Sequence, residues 1–107
     1  MQPVAESPAR ATFAMTDLDR APQPTYQTQP RYPSEMRRMG ITAEVMVTFI
    51  VDETGVVRDV NANDSSNIRF NSAAVEAVKK WIFRPGQKDG QPVRTRMVVP
   101  ILFTLDH

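Results

Sequence analysis

The chain of 107 residues has no cysteine, one histidine and only four glycines. The absence of cysteine excludes disulfides and thiolate metal sites, but it does not indicate a compartment. Thirteen Lys and Arg stand against twelve Asp and Glu, so the formal net charge is only +1. A chain this close to neutral exerts little long-range attraction on nucleic acid or on an anionic membrane. We therefore expect no nucleic-acid partner.

Long apolar runs are also missing. Polar residues interrupt every apolar stretch well before the roughly 18 residues that a membrane span requires. The first six residues, Met-Gln-Pro-Val-Ala-Glu, have neither the basic opening nor the apolar run of a signal peptide. Two interpretations stay open: a cytoplasmic protein, or the soluble part of a longer one.

Combinations of residues that carry chemistry are equally scarce. A triad of Ser65, Asp106 and His107 has nothing to orient it at the end of the chain. The acidic pairs, Asp17 with Asp19 and Asp52 with Glu53, lack a third ligand and a glycine-spaced loop, so they are interpreted as solvated carboxylates. No glycine-rich phosphate loop is present. The sequence therefore predicts no catalytic residues, no metal site and no cofactor.

Proline dominates the beginning of the chain. Five of the nine prolines lie in the first 30 residues: Pro3, Pro8, Pro22, Pro24 and Pro30. Because proline fixes φ and offers no amide donor, residues 1–28 are predicted to be a linker or arm, mostly extended or disordered. The alternative is that Phe13, Met15 and Leu18 dock on the folded domain, which is predicted to span residues 29–107.

The clearest pattern is the alternation of apolar and polar residues from 41 to 52, which predicts a long strand with one buried face. Residues 52–55 then form a turn into a second strand that starts near Val56. A bulge near Arg58 and Asp59 would bring the apolar side chains of this strand to the core face. These side chains are Val57, Val60 and Ala62.

Two helices frame these strands. Pro33 and Gly40 suit the start and the end of a helix of about two turns. A second helix is predicted over residues 71–83, with Asn71 as its cap, an apolar stripe that includes Trp81, and Pro85 as its stop. Residues 63–67 before it are predicted to be a loop. A turn at residues 89–90 leads to a final alternating strand over residues 94–105.

The fold class predicted from these elements is α+β, with two helices packed on one face of a three-stranded antiparallel sheet. Placing the last strand beside the long first strand makes every neighbouring pair antiparallel, and it leaves the last strand at an edge. Pro100 agrees with an edge position, because it cannot donate to a ladder. Such an edge accepts a strand from another protein; the alternatives are an edge covered by the arm, or one that is simply solvated.

The chain also resembles the TonB C-terminal domain family over roughly residues 29–105. The segments that carry the resemblance are Gln-Pro-Arg-Tyr-Pro at 29–33, Met-Gly-Ile at 39–41, Val-x-Val-x-Phe-x-Val-Asp-x-x-Gly at 45–55, Val-x-Asp-Val at 57–60, Ala-x-x-x-Trp-x-Phe-x-Pro-Gly at 77–86, and Val-Val-Pro-Ile-Leu-Phe at 98–103. Each segment alone is weak, but all of them in order with their spacing intact are specific.

The resemblance implies the same fold and a protein-binding function. Members of the family are anchored in the inner membrane and driven by an ExbB/ExbD-type complex that uses the proton motive force. Their C-terminal domain captures the TonB box, an extended segment of TonB-dependent outer-membrane transporters, as a strand beside its last strand. The implied localisation is a periplasmic domain of an inner-membrane-anchored protein, and some relatives form strand-exchanged homodimers.

Carried over position by position, the resemblance implies that the last strand and Gln29 contact the box, and Arg31 is expected to add affinity. The predicted partner-binding residues are Gln29, Arg31, Met97, Val98, Val99, Pro100, Ile101, Leu102, Phe103, Thr104 and Leu105. The alternative functions are a TonB-like sensory or regulatory module of a membrane-anchored signalling protein, and a structural scaffold.

Overall fold

A computed structural model describes residues 11–105 and shows an α+β architecture. Its two α-helices are α1 (Ser34–Arg38) and α2 (Asn71–Val78), and two short 3-10 helices cover Met15–Asp17 and Ile68–Phe70. Its strands are β1 (Thr12–Ala14), β2 (Gln23–Tyr26), β3 (Ala43–Val51), β4 (Val57–Ser65), β5 (Ile82–Arg84), β6 (Gly86–Lys88) and β7 (Gln91–Phe103). Within residues 11–105, no helix has both the length and the apolar character that crossing a membrane requires.

The main sheet has the strand order β1-β7-β3-β4. β3 lies between β4 and β7 and is antiparallel to both, which confirms the predicted place of the last strand beside the first long one. The prediction of only three strands is wrong. β1 adds a parallel strand beyond β7, β6 pairs with the beginning of β7, and β2 and β5 form a separate two-stranded sheet. The proline-rich segment supplies two of these extra strands.

The core lies between one face of the sheet and α2. On β3 the odd-numbered residues are buried from Ala43 to Val51, as the alternation predicted, because successive side chains point to opposite faces. Helix α2 contributes Ala74, Ala77 and Val78 to the buried set. Phe49 contacts Phe83 in a tilted arrangement with ring centroids 5.7 Å apart, and meets Trp81 edge-on at 6.3 Å. The aromatic side chains that follow α2 thus pack on Phe49 of β3 and extend the core beyond the end of the helix.

The predicted bulge in the second strand is confirmed. The register between β3 and β4 shifts between Thr48 and Ile50, and Asp59 has φ of +53°. The three apolar residues that the bulge was expected to turn inward, Val57, Val60 and Ala62, are partly buried against the core. The loop predicted over residues 63–67 is wrong for its first part, because β4 continues to Ser65 after a second register shift between Met46 and Val47.

The second helix ends five residues earlier than predicted. It stops at Val78, and the amides of Lys80 and Trp81 bond to carbonyls three residues back in tighter turns. Residues 81–84 then alternate between buried and exposed, so Trp81 and Phe83 enter the core while Ile82 is 48% exposed. A strand at this point gains backbone partners from β2, and the aromatic and β-branched residues suit it.

The start of the second helix also differs from the prediction. The side chain of Asn67, not Asn71, accepts a backbone hydrogen bond, from Arg69 N at 2.9 Å, and it caps the 3-10 helix that leads into α2. Asn71 is already helical and its Oδ1 is buried without a partner. On the exposed side of α2, Glu76 contacts Lys79 at 3.5 Å.

The described part of the arm, residues 11–28, lies extended along the domain. Phe13 and Leu18 are partly buried, as the docking alternative requires, whereas Met15 is 41% exposed. The backbone of Asp19 and Arg20 bonds to Gln87. Pro3 and Pro8 lie outside the described residues, and the domain boundary at residue 29 stays a prediction.

Candidate strand-binding edge

The main sheet has β4 at one end of its strand order and the three-residue β1 at the other, so β7 is an edge only where β1 does not pair with it. β4 carries two register shifts, and its exposed residues include Asp59, Asn61 and Asp64. Bulges and charges of this kind protect an edge against strand addition. β7 is regular instead, because its register with β3 runs unbroken from Phe103 to Thr95. Of these two long strands in the described part of the chain, β7 is therefore the one with a regular ladder.

Two prolines show which backbone groups of β7 point outward. Pro100 is paired with Met46 inside the unbroken register, and a proline fits there only if its nitrogen faces away from β3. Pro92 is also even-numbered, and it lies opposite Gln87 in the pairing with β6. Its nitrogen must likewise face away from the paired strand, so Gln91 and Val93 on either side bond to β6. Since backbone groups alternate in direction along a strand, odd-numbered residues of β7 serve β3 and β6. Even-numbered residues direct their N–H and C=O groups to the outer edge.

The outer edge divides into a covered part and an open part. β1 pairs with residues 94–96 and with no others of β7. Beyond Arg96, no strand within residues 11–105 pairs with the outer side. The outward groups there are two donors and three acceptors: the N–H groups of Val98 and Leu102, and the carbonyls of Val98, Pro100 and Leu102. This row is an incomplete ladder.

The predicted binding residues on β7 fall into two groups. The side chains of Met97, Ile101 and Phe103 are buried in the core, and Val99 is partly buried on the same face. The side chains of Val98 and Leu102 are 52% and 61% exposed on the opposite face of the sheet, and Pro100 between them is exposed as well. Only the second group combines an outward backbone with an exposed side chain. The sequence predicted the strand, and the pairing selects the alternate residues within it.

A groove adjoins the end of this row. It has a volume of about 530 Å³, and its lining residues are Gln29, Pro30, Tyr32, Arg37, Leu102, Phe103, Thr104 and Leu105. The structure therefore brings Gln29 to the end of β7, together with the last four residues of the predicted binding set. Arg31 is not in this groove. It lines a neighbouring groove of about 540 Å³ with Arg69, Glu76 and Lys80 on the side of α2.

The place of Gln29 is determined from both sides. The indole N–H of Trp81 donates to the carbonyl of Thr28 at 2.9 Å, and the Thr28 hydroxyl donates to the carbonyl of Ala77 at 3.1 Å. The hydroxyl of Tyr32 donates to the carbonyl of Ile41. Because both neighbours of the segment are bonded to the core, the residues between them stay extended beside α2.

Tyr32 also packs by its ring. It meets Phe70 and Phe103 edge-on, with centroids 5.6 and 5.8 Å apart, and the Arg37 guanidinium lies 5.4 Å from the ring centroid. Edge-to-face pairs and a cation over a ring are both favourable arrangements. Phe103 is the last residue of β7, so these contacts hold the Tyr-Pro segment against the end of the open edge.

The interpretation of Asp52 as a solvated carboxylate is wrong. Asp52 is buried, and its Oδ1 accepts from Thr54 N, Thr54 Oγ1 and Val56 N at 2.9, 2.6 and 3.0 Å. Its Oδ2 accepts from Arg58 Nε at 2.8 Å. Burial by itself raises the pKa, but the hydrogen bonds from Thr54, Arg58 and Val56 outweigh it and lower the pKa of Asp52 to about 2. This carboxylate organises the β3–β4 turn.

Comparison with known proteins agrees with this geometry. Residues 28–105 match the family model described as the Gram-negative bacterial TonB protein C-terminal. The chain belongs to the TonB C-terminal domain family. It is similar to Protein TonB of Vibrio cholerae, with 37% identity over 81 residues, and to Protein TonB of Xanthomonas campestris pv. campestris strain B100, with 36% identity over 78 residues. These alignments cover 75% and 72% of the chain but only 33% and 35% of the relatives, so the chain spans about a third of their length.

Solved structures of the family have the same fold. A solution structure of the TonB C-terminal domain from Pseudomonas aeruginosa aligns with a TM-score of 0.65 at 23% identity, over 89% of this chain and 95% of that one. A structure of the TonB2 protein from Vibrio anguillarum aligns with a TM-score of 0.61 at 27% identity, over the whole of both chains. The resemblance inferred from the motifs is confirmed.

Within residues 11–105, no three His, Cys, Asp or Glu side chains lie close enough to hold a metal ion. Asp106 and His107 of the considered triad lie outside the described residues. The sequence analysis did not predict which alternate residues of β7 direct their backbone groups outward, nor the hydrogen bond from Trp81 to Thr28. The two prolines of equal parity at 92 and 100 were the signal for the first, and no signal in the sequence indicates the second.

Proposed function

We propose that this chain is the periplasmic partner-binding domain of a TonB-type energy transducer. In this proposal it captures the TonB box of outer-membrane transporters by strand addition to the outer edge of β7. A longer protein, anchored in the inner membrane and coupled to an ExbB/ExbD-type complex, transmits the proton motive force through it to uptake across the outer membrane. Support comes from the family membership and from the incomplete ladder along residues 98–102.

The energetics of such a ladder suit reversible capture. Two donors and three acceptors allow about five main-chain hydrogen bonds, each with a net contribution of roughly 0.5–1.5 kcal/mol. The sum of roughly 3–7 kcal/mol is reduced by the cost of ordering a flexible segment. Binding by the edge alone is then on the order of micromolar or weaker. Contacts of the visitor with Gln29 and with the groove at the end of β7 supply additional affinity.

Arg31 has a separate place in the proposal. It lines the groove on the side of α2, where Arg69 and Lys80 add positive charge and Glu76 is engaged with Lys79. A contribution of Arg31 to affinity therefore requires that the partner continue past the end of β7 and over the extended segment at residues 28–33. We expect acidic residues of the partner outside the box to meet this groove.

A second candidate function is a sensory, regulatory or scaffold module of another membrane-anchored protein with the same domain. The open edge favours the transducer, because a scaffold has no need of an unpaired regular strand. A strand-exchanged homodimer would use the same edge, and it would compete with capture of a transporter segment.

The deciding experiment is a titration of isotopically labelled protein with synthetic TonB-box peptides, followed by backbone amide shifts. Capture at the edge predicts the largest shifts at Val98, Leu102 and Gln29. Shifts confined to β4 would move the site to the opposite edge, and a lack of binding to every box peptide would favour the scaffold. Sedimentation at the same concentrations separates peptide capture from dimerisation.

A further inference from the structure

The arm before β2 occupies part of the edge that the proposed partner uses. β1 lies parallel to β7, with Thr12 opposite Arg94, Phe13 opposite Thr95 and Ala14 opposite Arg96. The 3-10 helix Met15–Asp17 follows directly, contacts β7 and ends the strand pairing. β1 therefore covers the outward backbone groups next to the open part of the edge, which begins at Val98.

β1 is short, but it is tethered at a fixed point. Thr12 and Ala14 are exposed, and only Phe13 of the three residues is partly buried. Five residues later the chain is bonded to β6: Asp19 N donates to Gln87 O and Gln87 N donates to Arg20 O, both at 2.9 Å. The Asp19 carboxylate also accepts from Asp89 N at 2.6 Å. This anchor holds β1 beside the edge at a high effective concentration.

Because of this anchor, a visiting strand has to compete with β1 for the backbone groups that β1 already binds. A visitor that displaced β1 would gain the outward groups of Arg94 and Arg96, but β1 would lose the same groups. Replacing β1 by the visitor therefore creates no additional hydrogen bonds. β1 belongs to the same chain, so its pairing does not carry the loss of translational entropy that binding of a separate segment does. A visiting segment at micromolar concentration therefore pairs only with the part of the edge that β1 leaves open.

We propose that β1 and the helix Met15–Asp17 form a register stop that limits a visiting strand to the outward groups of residues 98–102. The inference rests on the proposed strand capture, and it deepens it: the arm determines how long a segment the edge accepts and where that segment begins. Extra residues on the end of the visitor that points toward Arg96 then meet the arm instead of a free ladder.

A matched pair of proline substitutions tests this stop. In the parallel pairing, Phe13 lies between the outward groups of Arg94 and Arg96 and bonds to them, so Phe13→Pro removes a donor that faces β7. The backbone of Ala14 faces away from β7, and its φ of −76° already fits proline. Ala14→Pro is therefore the control that changes the same strand without releasing it.

The ligands are a seven-residue TonB-box peptide and two versions of it, extended by three residues at the N-terminal or the C-terminal end. For the unsubstituted protein and for Ala14→Pro, we expect the extension that points toward Arg96 to change the dissociation constant less than about twofold, whereas the extension toward Gln29 reports on the groove alike in all three proteins. For Phe13→Pro, one extended peptide should bind about fivefold tighter, and its amide shifts should spread to Arg94 and Arg96. Equal gains in all three proteins would overturn the stop.

Hydrogen exchange tests the same inference without any peptide. The amide of Arg96 should exchange slowly in the unsubstituted protein and in Ala14→Pro, and as fast as those of Val98 and Leu102 in Phe13→Pro. Fast exchange of the Arg96 amide in the unsubstituted protein would show that β1 does not protect this part of the edge, and it would overturn the proposed register stop. Failure of the short peptide to bind would contradict the proposed function instead, so the two outcomes are distinguishable.

Discussion

Trp81 donates its indole N–H to the carbonyl of Thr28 at 2.9 Å, across 53 residues of sequence. Trp81 is 8% exposed and belongs to the core cluster, whereas Thr28 stands at the end of the proline-rich segment. A buried indole requires a hydrogen-bond partner, and the chain provides it with the backbone just before Gln29. The core thus holds the segment that carries one of the predicted partner contacts.

Replacing Trp81 by phenylalanine should keep an aromatic side chain in the core and remove this hydrogen bond. We expect the free energy of unfolding, measured with urea, to fall by about 1–2 kcal/mol, because a polar contact and part of the ring volume are lost. TonB-box affinity should also fall by a few-fold as residues 28–31 loosen. Thr28→Val is the control, since it removes the bond to Ala77 and keeps the carbonyl that Trp81 uses. Unchanged stability of Trp81→Phe would contradict the assigned role.

Gly55 should be far less tolerant of alanine than Gly40. Both have positive φ, +91° and +70°, but a Cβ at Gly55 would lie 1.9 Å from the carbonyl oxygen of Phe83, and a Cβ at Gly40 meets nothing within 4 Å. Gly40→Ala should cost about 1 kcal/mol of unfolding free energy from backbone strain alone. Gly55→Ala should cost at least about 3 kcal/mol, because the hydrogen bond between Phe83 N and Gly55 O must also shift. Similar losses for the two variants in a denaturant titration would show that the turn moves freely.

Asp52→Asn should destabilise the protein in a pH-dependent way. The folded pKa of about 2 lies below the ordinary value of 3.8, so the charged form contributes stability that is fully present above about pH 4. That contribution is lost as the pH falls through this range toward 2. We expect a difference of roughly 1–2 kcal/mol at pH 7, because the exposed Arg58 partner is partly screened by solvent. The difference between the two proteins should shrink from about pH 4 downward and vanish only below about pH 2. A constant difference over the whole range would contradict the assignment.

A proline scan along β7 tests which amides point outward. Val98→Pro removes an outward donor, so it should lower TonB-box affinity by about fivefold to tenfold and reduce the unfolding free energy by less than about 1 kcal/mol. Val99→Pro removes an amide that faces β3 and should cost about 3 kcal/mol or more. Calorimetric binding combined with thermal unfolding distinguishes the two losses. A smaller loss of stability for Val99→Pro than for Val98→Pro would show that the odd-numbered amides, not the even-numbered ones, point outward.

The three long strands of the main sheet, β3, β4 and β7, were predictable because their patterns are local. The alternation from Ile41 to Asp52 indicated a strand with one buried face, and β3 has it. The bulge at Asp59 followed from the mismatch between Val57 and Val60, since only an extra residue brings both to the core. The place of β7 beside β3 followed from the need for antiparallel neighbours.

The end of α2 was not predictable from its own residues. The stripe through Ala74, Val78 and Trp81 continues with helical spacing, and no glycine follows before Gly86. The structure ends the helix at Val78 because Ile82 and Phe83 gain backbone partners from the proline-rich segment and from Gly55. Those partners are remote in sequence, so local propensity carries no information about them.

The sequence by itself determined the family, the central strands and the place of β7 beside β3, because motif spacing and alternation are properties of neighbouring residues. Only the tertiary structure decided how much of the outer edge of β7 stays open, since β1 reaches Arg94–Arg96 from a segment some 80 residues away. Pairing between distant strands depends on where the intervening chain brings them. That geometry is set by the packing of the whole domain, and no short stretch of residues encodes it.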